Sequence, residues 1–351
     1  MLGMIAVVCT WAQVSDQVAP RFKAIWEPVN VKADVKLMDV AFVDEQTGWV
    51  AGGKNETNGG VIYYTHDGGA NWTAQFGDVE SSDRAVRALR FVNQTTGWAA
   101  QSAGGGPDRL LHTTDGQNWD QVGTIAQHFK DYAFVSPTRG VHLDSRRIYL
   151  STDAGRTWKP VAECRASAEV GGLTRQFGCE FEAVHFAGSE AGYAVAFSYE
   201  VKPVFFLFRT ADGGGTWQVS AIPAADSGHD IFFPTPKTGF VRVGAADTGR
   251  LYRTDDGGGT WNGVAASPGF QIRFVDPQMG WAFHYNKLSY TTDGGARWNS
   301  RTFRFPAPVA AFSLPSRKRA YVVGEHGMVY RYRVVPVEFT AAGMIDAPMM
   351  P

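Results

Sequence analysis

This 351-residue chain lacks most of the features that usually announce a function. Its 33 Lys and Arg are matched by 34 Asp and Glu, leaving a net charge of −1. That excludes the basic excess typical of nucleic-acid binders. No Gly-x-Ser-x-Gly, His-Glu-x-x-His or P-loop segment occurs, so the usual signatures of hydrolases, zinc proteases and nucleotide binders are missing. The eight histidines are scattered and three cysteines are spread along the chain, so no Cys/His spacing suggests a metal. No cofactor and no metal are expected. The apolar run at residues 1–12 is too short to cross a bilayer.

Glycine and aromatic residues are plentiful instead: 40 Gly and 13% Phe, Trp and Tyr. They recur in a pattern. Thr65-His66-Asp67-Gly68-Gly69-Ala70-Asn71-Trp72 is echoed around Asp115, Asp153, Asp212, Asp256 and Asp293, at intervals of 37 to 59 residues. A recurrence near 40–50 residues marks a propeller or solenoid. In each copy a short acidic side chain can accept from N–H groups two residues on, while Gly supplies positive φ. These six Asp positions are read as structural. The strands leading in, such as Val61-Ile62-Tyr63-Tyr64, and the Trp leading out make each copy a hairpin.

A second pattern precedes each turn: an apolar strand ending in Phe and, six residues on, Gly with an aromatic or apolar follower. The copies are Phe42, Phe91, Phe134, Phe186, Phe233 and Phe274, with a weaker seventh at Leu314 and Ala320-Tyr321. Two residues before each stands an apolar residue, the period of a half-buried strand. Each repeat therefore reads as four strands, and the chain as all-β: a seven-bladed propeller of four-stranded antiparallel blades. Seven first strands but only six Asp turns leave the last blade one strand short. Trp26-Glu27-Pro28-Val29 resembles Trp158-Lys159-Pro160-Val161. Residues 21–29 are therefore expected to pair with 327–333 and close the ring, since an unclosed blade would lose its neighbour.

Three regions follow: a signal-peptide-like segment and linker at 1–19, one propeller at 21–335, and a tail at 336–351. Thr10 and Ala12 stand at plausible cleavage positions before Gln13, with lipidation of Cys9 as an alternative. The chain is thus expected to be exported, to a periplasm or another extracytoplasmic or lumenal side. Membrane contact would be indirect or through an N-terminal anchor. In an exported chain Cys164 and Cys179 read as a disulfide, against two separate buried thiols.

Connections at the Asp-turn end are uniform, whereas those at the other end, such as 53–60, 77–84, 102–108, 162–178 and 198–203, vary in length. Variable loops on one face of a rigid scaffold are the usual place for recognition. A polar channel mouth bearing Arg84, Arg87, Arg90, His185 and Arg273 is the candidate partner-binding site. Its alternative is solvated channel lining with internal Arg–Asp pairs.

The turn resembles the Asp-box of sialidase-type repeats, a class that includes glycoside hydrolases. Pro20-Arg21-Phe22-Lys23 does not match the Arg-Ile-Pro segment of sialidases, and no acid pair or arginine cluster can be assigned, so no catalytic residue is named. The run Asp39-Val40-Ala41-Phe42-Val43-Asp44-Glu45-Gln46-Thr47-Gly48-Trp49-Val50-Ala51-Gly52, followed by its Asp turn, is similar to repeats of the photosystem II stability/assembly factor family. That resemblance implies a non-catalytic scaffold that holds a membrane complex, possessing an arginine-rich patch for which Arg84, Arg87 and Arg90 are the candidates here. A protein partner and no nucleic acid are expected. The competing reading is a carbohydrate-binding or sialidase-like propeller.

Overall fold

In the computed structural model the described residues are 22–337, apart from 127–128, 201–202, 223–227, 245–248, 267, 270, 285–286 and 302. The signal-like segment and nearly all of the tail lie outside them. Among the described residues there is no helix, and strands fall into seven four-stranded antiparallel sheets plus one two-stranded hairpin.

Strand β1 (Phe22–Pro28) precedes the first blade, which runs from its inner to its outer strand as β2 (Lys36–Phe42), β3 (Gly48–Gly53), β4 (Val61–Thr65) and β5 (Thr73–Gly77). Blade two is β6 (Val86–Phe91), β7 (Gly97–Gln101), β8 (Asp108–Thr113) and β9 (Asp120–Ile125), and blade three is β10 (Asp131–Phe134), β11 (Gly140–Leu143), β12 (Arg147–Ser151) and β13 (Lys159–Glu163). A hairpin, β14 (Arg165–Val170) with β15 (Leu173–Gly178), is inserted before blade four: β16 (Glu180–Ala187), β17 (Ala191–Ser198), β18 (Val204–Thr210) and β19 (Gln218–Ile222). Blades five and six are β20 (Gly228–Phe232), β21 (Gly239–Val243), β22 (Arg250–Thr254), β23 (Asn262–Ala266), and β24 (Gln271–Phe274), β25 (Gly280–His284), β26 (Lys287–Thr291), β27 (Asn299–Arg301). Blade seven is β28 (Val309–Ser316), β29 (Arg319–Gly324) and β30 (Val329–Pro336), completed by β1.

The closing pair corrects the expected register. Phe22 faces Pro336 and Pro28 faces Tyr330, so β1 lies against 330–336 rather than 327–333. Two further bonds, Val29 N–H to Val329 O and Val31 N–H to Gly327 O, carry the contact on to 327. The Trp26/Trp158 likeness holds in space: Pro28 opposes Tyr330 as Pro160 opposes Tyr149. The shift arises because β1 and β30 are not joined by a turn. Both continue past the level at which other blades fold back.

The core sits between blades, and the Phe-to-Gly motif builds it. Each motif Phe lays its ring over the Gly six residues on; a Cβ at Gly48 would lie 2.5 Å from the Phe42 ring, and Gly97 and Gly239 are covered as closely by Phe91 and Phe233. The same ring stacks on the aromatic that follows Gly, or Ala320, in the preceding blade: Phe91 on Trp49 (3.8 Å), Phe134 on Trp98 (3.6 Å), Phe274 on Phe240 (3.6 Å), Phe42 on Tyr321 (3.4 Å). It then meets edge-on the Trp of its own Asp turn, as in Phe42–Trp72 and Phe134–Trp158. The parallel rings lie face to face, and the T-shaped pairs add to plain area burial. Blade seven, with Leu314 for Phe, tolerates Ala320 for Gly.

The Asp turns close locally. Asp67 Oδ1 accepts from the Asn71 N–H (2.9 Å), and the Thr65 hydroxyl accepts from the Gly69 N–H (2.9 Å) while donating to Asp67 Oδ1 (2.8 Å). The acceptance is therefore from four residues on, not two. Asp212 also accepts from Gly215, three residues on, and the shortened turn at Asp115 takes the N–H groups two and three residues on, from Gln117 and Asn118. Gly68 and Gly69, with φ of 68° and 88°, supply the left-handed backbone. Burial raises the Asp67 pKa, but bonds from Asn71 and Thr65 outweigh it and bring it to about 2. Thr210 and Thr216 likewise hold Asp212 at about 2.

Candidate functional site

The five candidate residues occupy two levels. The inner strands enter from the variable-loop end and finish at the motif Phe, beside the Asp-turn end. Arg84 and Arg87 therefore stand at the start of β6, near the loops, while Arg90, His185 and Arg273 each sit one residue before a Phe or its equivalent, near the other end. The single channel mouth expected from the sequence is thus divided, because one strand length separates its members. A bulge between Arg87 and Arg90, with Ala88 at φ 55°, sets their relative direction, and the Tyr132 hydroxyl donates to the Ala88 carbonyl.

The deeper residues join blades around the axis. Arg90 donates to Asp131 of blade three (2.9 Å) and to the Tyr132 carbonyl (3.0 Å), and lies 3.7 Å from Asp39 of blade one. Arg273 grips Asp230 of blade five (3.0 Å), and His185 Nε2 contacts the Phe233 carbonyl (3.1 Å). The carboxylates also accept from the next blade's backbone: Asp39 from Leu89 N–H (2.7 Å), Asp131 from Val184 N–H and Asp230 from Ile272 N–H (both 3.1 Å). Gln271 to the Ala310 carbonyl (2.9 Å) and Phe42 N–H to the Ser313 hydroxyl (3.1 Å) link the remaining interfaces. Every one of the seven blade junctions thus carries a side-chain-to-backbone clasp, a circuit the sequence reading did not assemble because its partners lie 39 to 53 residues apart, or 271 across the closure.

Burial shapes this circuit. It raises the Asp39 pKa against the pull of Arg90, and lowers His185 to about 3 with the help of the Arg273 charge. His185 is therefore a neutral imidazole near pH 7. Burial also disfavours the Arg90 cation, but Asp131 and Asp39 more than compensate and hold it protonated.

The loop-end residues face outward. Arg87 donates to the buried Asp108 (2.7 Å) and lies over the Phe129 ring at 4.7 Å. Arg84 has no hydrogen bond or ion pair to its guanidinium among the described residues. It packs on the backbone of Gly104, where a Cβ would come within 2.4 Å of its Nε. Exposed Arg109 stands nearby, 3.7 Å from Asp83 and 3.4 Å from Gln101. Arg109 was not among the sequence candidates; it sits on the third strand of its blade, outside the inner-strand pattern that found the others.

On the same loop face Cys164 and Cys179 form a disulfide that closes the base of the β14–β15 hairpin. The sequence had suggested only a long connection here, since the hairpin belongs to no repeat. Between it and the 144–147 turn lies a cleft of about 1060 Å³. Its carboxylates are largely committed: Asp144 accepts from Arg146 N–H, Arg147 N–H and the Tyr149 hydroxyl, and Glu163 faces Arg147 and Arg165. Only Glu180 among the lining acids is unpartnered. No pair of free acids spaced for glycoside hydrolysis is formed in the cleft. Among the described residues no group of three or more His, Cys, Asp or Glu could hold a metal.

The fold and its turns define a seven-bladed propeller built on a repeated Asp turn. A family profile described as "Photosynthesis system II assembly factor YCF48" matches residues 19–128. The chain is 25% identical over 152 residues to Photosystem II assembly lipoprotein Ycf48 of Synechococcus sp. (strain CC9902), covering 42% of this chain and 43% of that protein. It is 27% identical over 155 residues to the chloroplastic Photosystem II stability/assembly factor HCF136 of Oryza sativa subsp. japonica, covering 41% and 35%. The chain thus spans less than half the length of these curated relatives. Among solved structures it is similar to YCF48 bound to D1 peptide (TM-score 0.63, 19% identity, 88% of this chain and 96% of that one) and to YCF48 from Cyanidioschyzon merolae (0.61, 17%, 88% and 98%). At these identities the structures show the fold. The profile and the two relatives make the chain similar, over part of its length, to photosystem II assembly factors.

Proposed function

We propose that this chain is a non-catalytic scaffold that binds a segment of a protein partner on its loop face and serves a membrane complex as an assembly factor or accessory subunit. The carrying observation is Arg84. It is a partly exposed guanidinium without a partner among the described residues, on the face with the variable loops, whereas Arg90 and Arg273 are bound within the ring. Arg87 and Arg109 flank it. The relatives support this reading: two are described as assembly factors, one as a lipoprotein, and one similar structure holds a D1 peptide. Those names also favour an extracytoplasmic, membrane-associated location and a photosynthetic complex as the partner.

Affinity capture from native membranes tests it. Changing Arg84 and Arg109 to Ala should weaken retention of a membrane complex at least tenfold, steepest at low salt, with Tm unchanged. Retention indifferent to both changes, or retention of a polysaccharide instead, would defeat the proposal.

A further inference from the structure

The Asp-turn end is uniform in six places and open in the seventh. In five blades the aromatic after the motif Gly, or after Ala320, has a polar tip, and in four of them the next blade satisfies it. Trp49 Nε1 donates to the Gly116 carbonyl (3.3 Å) and Trp98 Nε1 to the Ala154 carbonyl (3.0 Å), both in Asp turns. Tyr321 donates to the Glu45 and Gly68 carbonyls, and Tyr193 to the Pro236 carbonyl. Trp281 breaks the series. It is 2% exposed, yet its Nε1 has no hydrogen-bond partner. Its neighbour is blade seven, whose outer strands come from opposite ends of the propeller sequence and so have no Asp turn to offer.

In place of that turn, β1 and β30 run on side by side, Phe22–Ile25 against Arg333–Pro336. They leave a groove of about 600 Å³ between blades six and seven, lined by Ile25, Trp26, Met279, Trp281, Phe303 and Tyr332. Its rim is basic. Arg317 lines it, bound to Asp276 at 2.6 Å, and Lys23 and Arg304, adjacent in sequence to lining residues, have no carboxylate partner among the described residues. An aromatic groove with one unsatisfied buried donor is a costly surface to leave uncovered.

We propose that this groove is a second peptide-binding site. It takes from a partner protein a short turn-forming segment with an apolar side chain, a free backbone carbonyl and an adjacent carboxylate. The apolar side chain fills the aromatic pocket and the carboxylate meets the rim. The carbonyl accepts from Trp281 as Gly116 and Ala154 do from their tryptophans. The site is on the opposite end of the propeller from Arg84, so it stands independently of the loop face.

A peptide-display library panned on the full chain, with counter-selection on Thr292→Trp, tests this. Thr292 is an exposed lining residue, so the bulky replacement obstructs the groove without disturbing the core. The expected result is a consensus of an aromatic or aliphatic residue beside Asp or Glu. A fluorescent peptide of that consensus should bind at least tenfold more weakly to Thr292→Trp and severalfold more weakly to Lys23→Glu/Arg304→Glu. Binding to Arg84→Ala should be unchanged, with equal Tm throughout. No enrichment over Thr292→Trp, or a consensus without acidic residues, overturns the proposal. So does displacement of the consensus peptide by a synthetic peptide of residues 338–351, which would assign the groove to this chain's own C-terminal segment.

Discussion

Two sets of carboxylates do the same elementary task in this molecule at very different sequence distances. Asp67 accepts a backbone N–H four residues away, whereas Asp39, Asp131 and Asp230 accept theirs from 50, 53 and 42 residues away, in the next blade. The outer set is complete as soon as one hairpin forms. The axial set exists only when neighbouring blades are docked. Hence the Asp turns report on single blades, and the axial clasps report on the ring. The closing pair β1–β30 is the point at which the second depends on the chain's two distant segments meeting.

The largest expected effect breaks the axial set while sparing the turns. Deleting residues up to Pro28 removes β1 and the Trp26 ring, which packs on Trp281 at 5.8 Å and Phe305 at 5.2 Å. A loss of more than about 4 kcal/mol is expected, since a large buried aromatic and an entire strand edge go together. Urea denaturation should show it, and hydrogen exchange should show Leu89, Val184 and Ile272 amides losing protection before Asn71 and Thr216.

Arg90→Ala comes next. It leaves Asp39 and Asp131 facing an empty centre. A loss of about 2–3 kcal/mol is expected, below the figure for a fully buried pair because Arg90 keeps 37% side-chain exposure. Asp67→Ala should cost less, about 1–2 kcal/mol, by analogy with loss of a helix cap. Equal costs for the two, from chemical denaturation, would erase the distinction between local and axial carboxylates.

The smallest effect separates the sets by pH. His185 is depressed to about 3 from an unfolded value near 6.5, so its contribution is present above pH 6.5 and is lost as pH falls toward 3. Asp67, Asp212 and Asp256 are depressed to about 2, so theirs is present above pH ~4 and lost only as pH falls toward 2. Asp39, raised by burial, has the opposite sign, and protonation favours its folded form. His185→Gln should therefore flatten the stability profile from pH 6.5 down to about 3, leaving in place the part of the drop below pH 4 that the carboxylates cause. An unchanged slope would remove His185 from the account.

The same division explains what was legible in the sequence. The Asp turns, the seven inner strands and the missing outer strand could be counted because each repeats at fixed spacing. The reason Gly48 must be Gly was not visible, since it lies in how the Phe42 ring sits between its own strand and Tyr321 of the last blade. Arg90, His185 and Arg273 were legible as residues standing just before a motif Phe, but their partners are set by docking between blades. The β14–β15 hairpin and Arg109 fell outside the repeat, and periodicity had nothing to say about them.

The antiparallel closure also fixes how the ring would yield to force. Phe22 lies directly across from Pro336, so both ends of the strand pair emerge at one corner. Pulling those ends apart would load the Phe22–Pro336 end first, then each pair in turn. The ring would open like a zipper, one bond at a time, instead of resisting with all seven pairs of the closure at once.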